Sequence, residues 1–313
     1  MKAAVVQEAG KIPVYAEFDE PVAEAGECLV HVKAAALSPL AKARASGAHY
    51  SSSSHFPFVA GVDGVGMLDD GRRVYFVLPR APFGTMAERA AVPVSQCVAV
   101  PDGLDDDMAA ALANPGMSSW AALTHRADLK RGETVLINGA TGASGQLAVK
   151  IARHLGASKV IATGRNADKL AALGADAAIA LSNDPDDLEG QFKPHFMDGV
   201  DVVVDYLWGA SAERMLIAAA KAGKDGVPVR FVQVGSASGA DINLPGAVLR
   251  AAAIELKGSG MGSVTLEALI DSIAGVFGAA RSADLVLPIR SCPLAEIGHA
   301  WSSDGERRTV FRI

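Results

Sequence analysis

The stretch of residues 135–147, VLINGATGASGQL, predicts a short apolar strand, a glycine-rich turn and the first turn of a helix. Gly139, Gly142 and Gly145 recur at every third residue across the turn. Small residues let a backbone turn sharply and approach a ligand, and the free amides and dipole of a helix start favour an anion such as a pyrophosphate. Ala140 occupies the place of the first glycine in the strict dinucleotide fingerprint. On this stretch alone, a nucleotide-binding turn and a tight strand–helix turn that needs glycine only for packing both stay open.

The sequence around this turn alternates between strand and helix patterns. That alternation predicts a parallel, doubly wound sheet. Helices are also predicted separately over 106–112 and 118–127, where Ser118 could be an N-cap, and the acidic residues 183–190 are expected to form a solvated loop. The predicted strands are 135–138, 159–163, 177–181, 201–205, 229–234 and 253–257, and the predicted helices between and after them are 144–155, 167–173, 212–222 and 265–278.

The first hundred residues show a different sequence pattern, in which short apolar runs are separated by turns. Strands are predicted over 3–6, 28–35, 59–67 and 73–77, and a short helix is predicted after residue 38. Ser38 is placed to cap that helix and Pro39 to occupy its first position. Short strands return over 285–313. This part of the chain is therefore expected to be β-rich.

Charge and hydropathy exclude several classes of protein. Lys and Arg number 29 against 35 Asp and Glu, and no basic stripe stands out, so nucleic acid is not an expected partner. No apolar run approaches the about 18 residues that span a bilayer, and the first residues lack a secretion-signal core, so we expect a cytoplasmic protein without a membrane partner. The cysteines Cys28, Cys97 and Cys292 are too scattered to indicate a metal cluster or a disulfide framework.

The strand after the glycine turn ends in Gly164, Arg165 and Asn166. Enzymes that bind NAD usually place an acidic side chain near this point for the ribose hydroxyls, and this chain offers a cation instead. A guanidinium pairs well with a 2′-phosphate, and Lys169 could reach the same group. NADPH (or NADP+) is therefore favoured over NADH. The alternative is a solvated Arg and Lys at a helix start.

The order and spacing of these features resemble the medium-chain dehydrogenase/reductase superfamily, and within it the zinc-free quinone oxidoreductase group. The resemblance rests on the β-rich start, the Gly64-Val65-Gly66 strand, the glycine turn and the late return of short strands. It implies a GroES-like catalytic domain (1–113), an inserted NADPH-binding Rossmann domain (114–250), and a segment (251–313) that completes the Rossmann domain and returns to the first. It also implies NADPH in the cleft and a homodimer that joins Rossmann sheets edge to edge.

The resemblance, with the small polar loop that follows the predicted strand 229–234, defines the expected cofactor contacts. Such a loop at the carboxyl end of a parallel strand lies on the ligand side of the fold. The residues expected to bind the cofactor are Ser118, Gly139, Thr141, Gly142, Ala143, Ser144, Gly145, Gly164, Arg165, Asn166, Lys169, Gly235, Ser236 and Ser238.

The zinc ligands of the family's metal-dependent members have no counterpart here. Ser38 stands where those members carry a Cys, and Gly61-Val62-Asp63 stands where they carry a His followed by Glu. The four-cysteine structural zinc lobe is missing as well. Because zinc needs thiolate and imidazole ligands together, we expect no metal in this protein.

Without zinc to polarise a simple carbonyl, the expected substrates are quinones and α,β-unsaturated carbonyl compounds, which are electrophilic by conjugation. Tyr50, Ser38 and Asn114 are the candidate residues at the acceptor end. Ser38-x-x-Ala41 replaces the Asn-x-x-Asp often found in this group, which weakens the catalytic assignment. A non-catalytic NADPH-binding sensor or structural protein therefore stays an alternative, and an enoyl-thioester reductase is the alternative within the enzyme class.

Overall fold

The structure, a computed structural model, describes residues 1–47, 55–303 and 307–313. These residues form two compact units: unit 1 comprises Met1–Asn114 and Val286–Ile313, and unit 2 comprises Pro115–Leu285. The second boundary, between Leu285 and Val286, lies inside the predicted segment 251–313. No helix among the described residues is long and apolar enough to cross a membrane.

The elements alternate in type only in the second unit. In chain order they are β1 (Lys2–Val6), β2 (Val14–Glu17), β3 (Glu27–Ala36), α1 (Pro39–Ala45), β4 (Phe58–Val59), β5 (Asp63–Leu68), β6 (Arg73–Val77), β7 (Arg89–Pro93), β8 (Cys97–Ala99), α2 (Asp106–Ala121), β9 (Thr134–Asn138), α3 (Ala143–His154), β10 (Lys159–Gly164), α4 (Ala167–Ala171), β11 (Ala177–Ala180), α5 (Pro185–Asp198), β12 (Val202–Asp205), α6 (Gly209–Ala222), β13 (Val229–Gln233), α7 (Gly246–Ala251), β14 (Ile254–Gly258), α8 (Leu266–Ala279), β15 (Ile289–Pro293), α9 (Ile297–Ala300) and β16 (Arg308–Arg312).

Unit 1 is the β-rich part of the molecule. One sheet has the order β2-β1-β4, and another has the order β15-β16-β3-β5-β6-β8, with β7 also paired to β3. The C-terminal strands thus add to a sheet that begins near the N-terminus. An ion pair between Arg312 Nη2 and Asp107 Oδ2 (2.6 Å) fastens β16 to the first turn of α2 within this unit.

The predicted start of α1 is confirmed. Ser38 has extended backbone, its hydroxyl accepts the N–H of Ala41 at 3.0 Å, and Pro39 is the first helical residue. The single strand predicted over 59–67 is wrong in one respect, because β4 and β5 are separate. Gly61, with φ +97°, turns the chain between them.

Unit 2 contains a parallel sheet in the order β11-β10-β9-β12-β13-β14, which confirms the predicted doubly wound arrangement. The chain builds the sheet outward from β9 in both directions. Ligands bind such open sheets beyond the carboxyl ends of the strands where the strand order reverses. The glycine turn follows β9, so it lies at that position.

The acidic residues 183–190 are not a solvated loop. They contain the start of α5, and this correction follows from a local cap and a core stripe. The Asp184 carboxylate accepts N–H groups of the first turn, and Pro185 occupies the first helical position. Leu188, Phe192 and Phe196 follow at intervals of four residues and are buried in the core of unit 2. Acidic side chains in a first helical turn favour the helix dipole, so their clustering signals a helix start here.

The two helices predicted over 106–112 and 118–127 are one helix as far as Ala121, followed by a π-helical turn, Ala122–Arg126. Pro115 lies inside α2. Ser118 is therefore inside the helix and is not its N-cap. Its hydroxyl donates to the Pro115 carbonyl at 2.9 Å, three residues back along the same helix.

Candidate cofactor site

The glycine turn between β9 and α3 is held by its own backbone. Gly139 has φ +90°, in the region that favours glycine, and a Cβ there would come within 2.9 Å of the Leu207 side chain. The Ala140 N–H donates to the Thr163 carbonyl at 2.8 Å, which ties the turn to β10. A Cβ on Gly145 would meet the backbone of Gly139 and lie 2.6 Å from Ala140 Cα. Two of the three glycines are thus required by the turn itself.

Gly142 is different, because a Cβ there would meet only the Gly139 carbonyl oxygen at 3.7 Å. It is the N-cap of α3 and offers no side chain to the first N–H groups of that helix. Ser144 lies in the same first turn. The turn therefore presents backbone N–H groups beside open space, which suits an anion.

A buried polar network lies beneath the turn. Thr163 Oγ1 accepts the Gly139 N–H at 3.1 Å and donates to Asn138 Oδ1 at 2.7 Å. Asn138 Nδ2 donates to Asp205 Oδ1 at 2.8 Å and to the Ser211 hydroxyl at 2.9 Å. Asn138, Thr163 and Asp205 are fully buried and end β9, β10 and β12 or lie next to those ends. The network therefore joins the carboxyl ends of three neighbouring strands under the turn.

Asp205 also holds the loop that follows β12. Its carboxylate accepts the N–H groups of Leu207 (2.9 Å) and Trp208 (3.1 Å). Burial raises the pKa of Asp205, and these hydrogen bonds act in the opposite direction. Trp208 has φ 58° and ψ −155°, a conformation that is strained for any residue with a side chain. The hydrogen bonds that the Asp205 carboxylate accepts offset part of that strain.

Hydroxyl groups connect α2 to the glycine turn. Ser119 Oγ lies 3.0 Å from the Pro115 carbonyl oxygen and 2.9 Å from the Ser144 carbonyl oxygen, so its one proton is directed to these acceptors. Tyr206 Oη, 2.7 Å away, therefore donates to Ser119. Burial raises the pKa of Tyr206, which keeps the phenol protonated. The predicted contact residue Ser118 donates weakly to the Ser144 hydroxyl at 3.4 Å.

The end of β10 and the start of α4 bring together five of the predicted residues. Thr141 packs on Gly164, where a Cβ would lie 2.7 Å from the threonine methyl group. The Asn166 side chain accepts the Lys169 N–H at 2.9 Å and so caps α4. Arg165 is exposed and lines a cavity of about 250 Å³. Lys169 is not among the residues that line this cavity.

The predicted loop after β13 runs beside the loop after β12. Gly235 and Ser238 donate backbone N–H groups to the carbonyls of Asp205 (3.1 Å) and Leu207 (2.8 Å). Ser238 lines the same cavity as Arg165, and Ser236 is exposed. The loop is therefore held in place by backbone pairing, with its serine side chains left at the surface.

Two of the residues predicted for the acceptor end, Ser38 and Asn114, belong to unit 1, and no hydrogen bond joins their side chains. Ser38 is buried and its hydroxyl caps α1. Asn114 is half-buried inside α2, and Tyr50 lies outside the described residues. Within residues 1–47, 55–303 and 307–313, no group of three or more His, Cys, Asp or Glu side chains could hold a metal ion. The absence of zinc stays a prediction from the sequence.

Several polar residues of this site were missed by the sequence reasoning. The signal for three of them was present, because Asn138, Thr163 and Asp205 are the last residues of mainly apolar predicted strands. Ser119 and Tyr206 carry no such signal. Their pairing depends on α2 passing through Pro115 without a break.

Comparisons with known proteins agree with this architecture. The family model described as zinc-binding dehydrogenase matches residues 143–275. A probable NADPH-dependent quinone reductase, tdiC, of Emericella nidulans is 29% identical over 93% of this chain and 93% of its own length. The quinone oxidoreductase of Thermus thermophilus, solved alone and with NADPH, is 28% identical with a TM-score of 0.81 and full coverage (100%) of both chains. A mycobacterial quinone oxidoreductase, 23% identical and again covering 100% of both chains, shares the fold with a TM-score of 0.85.

The family assignment rests on a mixed α/β fold that these proteins share over their whole length, together with the matched family model. The chain belongs to the quinone oxidoreductase group of the medium-chain dehydrogenase/reductase superfamily.

Proposed function

We propose that this protein is an NADPH-dependent oxidoreductase that transfers hydride to quinones or α,β-unsaturated carbonyl compounds. The observation that carries the proposal is the glycine turn, where Gly142 faces open space at the carboxyl edge of the sheet and Arg165 lies at the end of the neighbouring strand. A relative named as a probable NADPH-dependent quinone reductase and a quinone oxidoreductase solved with NADPH support the choice of cofactor and reaction.

The residues of the turn fit a dinucleotide. The first N–H groups of α3, beginning at Ala143 and Ser144, would hold the pyrophosphate, and Gly142 leaves room for it. Arg165 would pair with the adenosine 2′-phosphate. When bound, NADPH supplies the hydride. The chain's own contribution is then to hold the acceptor in reach and to stabilise negative charge that develops on the acceptor oxygen.

Tyr50, Ser38 and Asn114 are proposed for that second task. The Ser38 oxygen already accepts the Ala41 N–H, so the hydroxyl hydrogen is what it can offer to an acceptor. A phenol such as Tyr50 or an amide such as Asn114 can donate a hydrogen bond to a carbonyl or enolate oxygen. None of these groups needs to change its charge for this role.

The test is NADPH oxidation, followed at 340 nm, with a panel of quinones, simple enones and enoyl thioesters. Turnover with quinones or enones is the expected result. Turnover confined to enoyl thioesters would favour the alternative enzyme. Tight NADPH binding without turnover on the whole panel would contradict the proposed reaction and favour the non-catalytic alternative.

The role of Arg165 is tested separately by nucleotide binding. Arg165→Ala should weaken NADPH binding and leave NADH binding nearly unchanged, and equal losses would count against the role of Arg165.

A further inference from the structure

The cavity beside Arg165 has a second arginine in its wall. It lies among the ends of β10 and β11, the start of α5 and the first half of α6. Its volume of about 250 Å³ is below the roughly 300–1,000 Å³ of sites that enclose a drug-sized ligand, so it suits one end of a dinucleotide. The lining residues relevant here are Arg165, Ser182, Leu188, Leu207, Arg214 and Ser238.

The charge of Arg214 is not neutralised by its nearest carboxylate. Glu189 is buried, and its Oε1 lies 2.7 Å from Lys193 Nζ and 2.8 Å from Lys221 Nζ. Arg214 Nη1 lies 4.0 Å from Glu189 Oε2, the outer limit of an ion pair. The hydrogen bond from Lys193 and then that from Lys221 lower the pKa of Glu189. One carboxylate thus faces three cations, which leaves two positive charges in excess.

Two other carboxylates near the cavity accept backbone N–H groups and form no ion pair with either arginine among the described residues. Asp184, next to the cavity wall, accepts the N–H groups that begin α5, the nearer at 2.9 Å. Glu213, beside Arg214 in α6, accepts the Asn243 N–H at 2.7 Å. Among the described residues, neither Arg165 nor Arg214 therefore has a carboxylate oxygen closer than 4.0 Å, and both line the cavity. A phosphate monoester carries about two negative charges at neutral pH and suits two such guanidinium groups.

We propose that Arg214 is a second specificity-determining residue, which binds the adenosine 2′-phosphate of NADPH together with Arg165. This inference rests on the proposed NADPH-dependent function. Arg165 approaches from the end of β10 and Arg214 from α6, so two planar guanidinium groups would bind one phosphate from different elements. Leu188 and Leu207 give the cavity the apolar wall that an adenine ring requires.

The proposal is tested by nucleotide binding to Arg214→Gln, followed by cofactor fluorescence. We expect the Kd for NADPH to rise about tenfold or more, which corresponds to about 1.4 kcal/mol, and the Kd for NADH to change less than about twofold. The matched control is Lys193→Gln, since Lys193 contacts the same carboxylate but does not line the cavity. It should leave the ratio of the two Kd values near that of the parent.

Two competitors separate this inference from the proposed function. In the parent protein, 2′,5′-ADP should displace NADPH better than 5′-AMP does, and Arg214→Gln should lose most of that difference. If the parent binds NADPH no better than NADH and does not distinguish the competitors, both the NADPH assignment and the role of Arg214 fail. If the parent distinguishes them and Arg214→Gln does so equally well, only the role of Arg214 is overturned. Arg214→Lys keeps the charge without the bidentate geometry, so its ratio of the Kd for NADH to the Kd for NADPH should lie between those of the parent and Arg214→Gln. If Arg214→Gln folds poorly, Arg214→Lys serves as the test, and a ratio equal to that of the parent would overturn the role of Arg214.

Discussion

Asp63 on β5 is a buried carboxyl group with incomplete hydrogen bonding. Tyr75 donates its phenol to Oδ2 at 3.0 Å, whereas Oδ1 has no partner among the described residues. Arg308 lies nearby, with buried nitrogen atoms that likewise lack a partner there. Burial raises the pKa of Asp63 to about 6, while the charge of Arg308 and the Tyr75 hydrogen bond act to lower it. Desolvation therefore outweighs the attraction of the guanidinium at this position.

The pKa of Asp63 gives a stability prediction with a definite sign. Between pH 3.8 and about 6 the unfolded chain ionises Asp63 while the folded chain keeps it protonated. The free energy of unfolding therefore decreases as the pH rises through this window. The total decrease is about 3 kcal/mol once the pH exceeds the folded-state pKa. Asp63→Asn removes the titration. From urea unfolding, the stability of the variant minus that of the parent should increase by about 3 kcal/mol between pH 3.5 and 7.5. Parallel pH profiles for the two proteins would contradict this assignment.

At the scale of the element, the glycine turn separates what folding needs from what a ligand needs. Gly145 permits the contact of α3 with the backbone of Gly139 and Ala140. Gly142 has no such neighbour, and its φ of −78° is open to any residue. The three-residue spacing looks uniform in the sequence, yet the positions differ in what a side chain would meet.

The pair Gly145→Ala and Gly142→Ala tests this division. Gly145→Ala forces backbone apart in a packed turn and should lower the free energy of unfolding by about 1–3 kcal/mol. Gly142→Ala should leave stability within about 0.5 kcal/mol and still weaken NADPH binding by about tenfold, because its Cβ enters the space proposed for the pyrophosphate. Thermal unfolding and fluorescence titration measure the two effects. An unchanged affinity in Gly142→Ala would place the pyrophosphate elsewhere.

Most elements could be predicted from local pattern, and the failures have physical causes. The predicted parallel strands were found because buried strands read as continuous apolar runs. The prediction of two helices where the structure has α2 is wrong, because an internal proline removes a helical hydrogen bond and commonly ends a helix, whereas α2 continues through Pro115. The prediction of a solvated loop over 183–190 is wrong because acidic residues also suit a first helical turn, and Asp184 with Pro185 marks the start of α5.

At the scale of the molecule, the candidate site could be predicted only where one segment supplies it. The glycine turn and Arg165 belong to consecutive strands and were found from spacing. Arg214 and Tyr206 reach the site from α6 and from the loop before it, and their partners lie far away in sequence. Such long-range contacts depend on how the helices pack on the sheet, and no local sequence pattern encodes that packing.

The resemblance to this family also predicts a homodimer, and the outer strand β14 offers a route to it. β14 pairs with β13 on one side, its other edge is open to a further strand among the described residues, and Leu256 on it is 38% exposed. An edge strand with an exposed apolar side chain is a template for pairing, and a two-fold axis would bring two copies of β14 together. We predict a dimer in sedimentation velocity. Leu256→Lys should raise its dissociation constant at least about tenfold, because symmetry would bring two like charges together across the pair.

Met197→Lys provides the matched control for the dimer. Met197 is 64% exposed and lies on α5, the helix that connects β11 to β12. It adds the same charge to an apolar surface residue and should leave the association unchanged. A parent protein that sediments as a monomer at micromolar concentration would contradict the dimer itself. Equal loss of association in both variants would instead show that net charge, and not the edge of β14, governs assembly. Because Leu256 lies within β14 and belongs neither to the glycine turn nor to the cavity beside Arg165, the cofactor affinity of Leu256→Lys should match that of the parent.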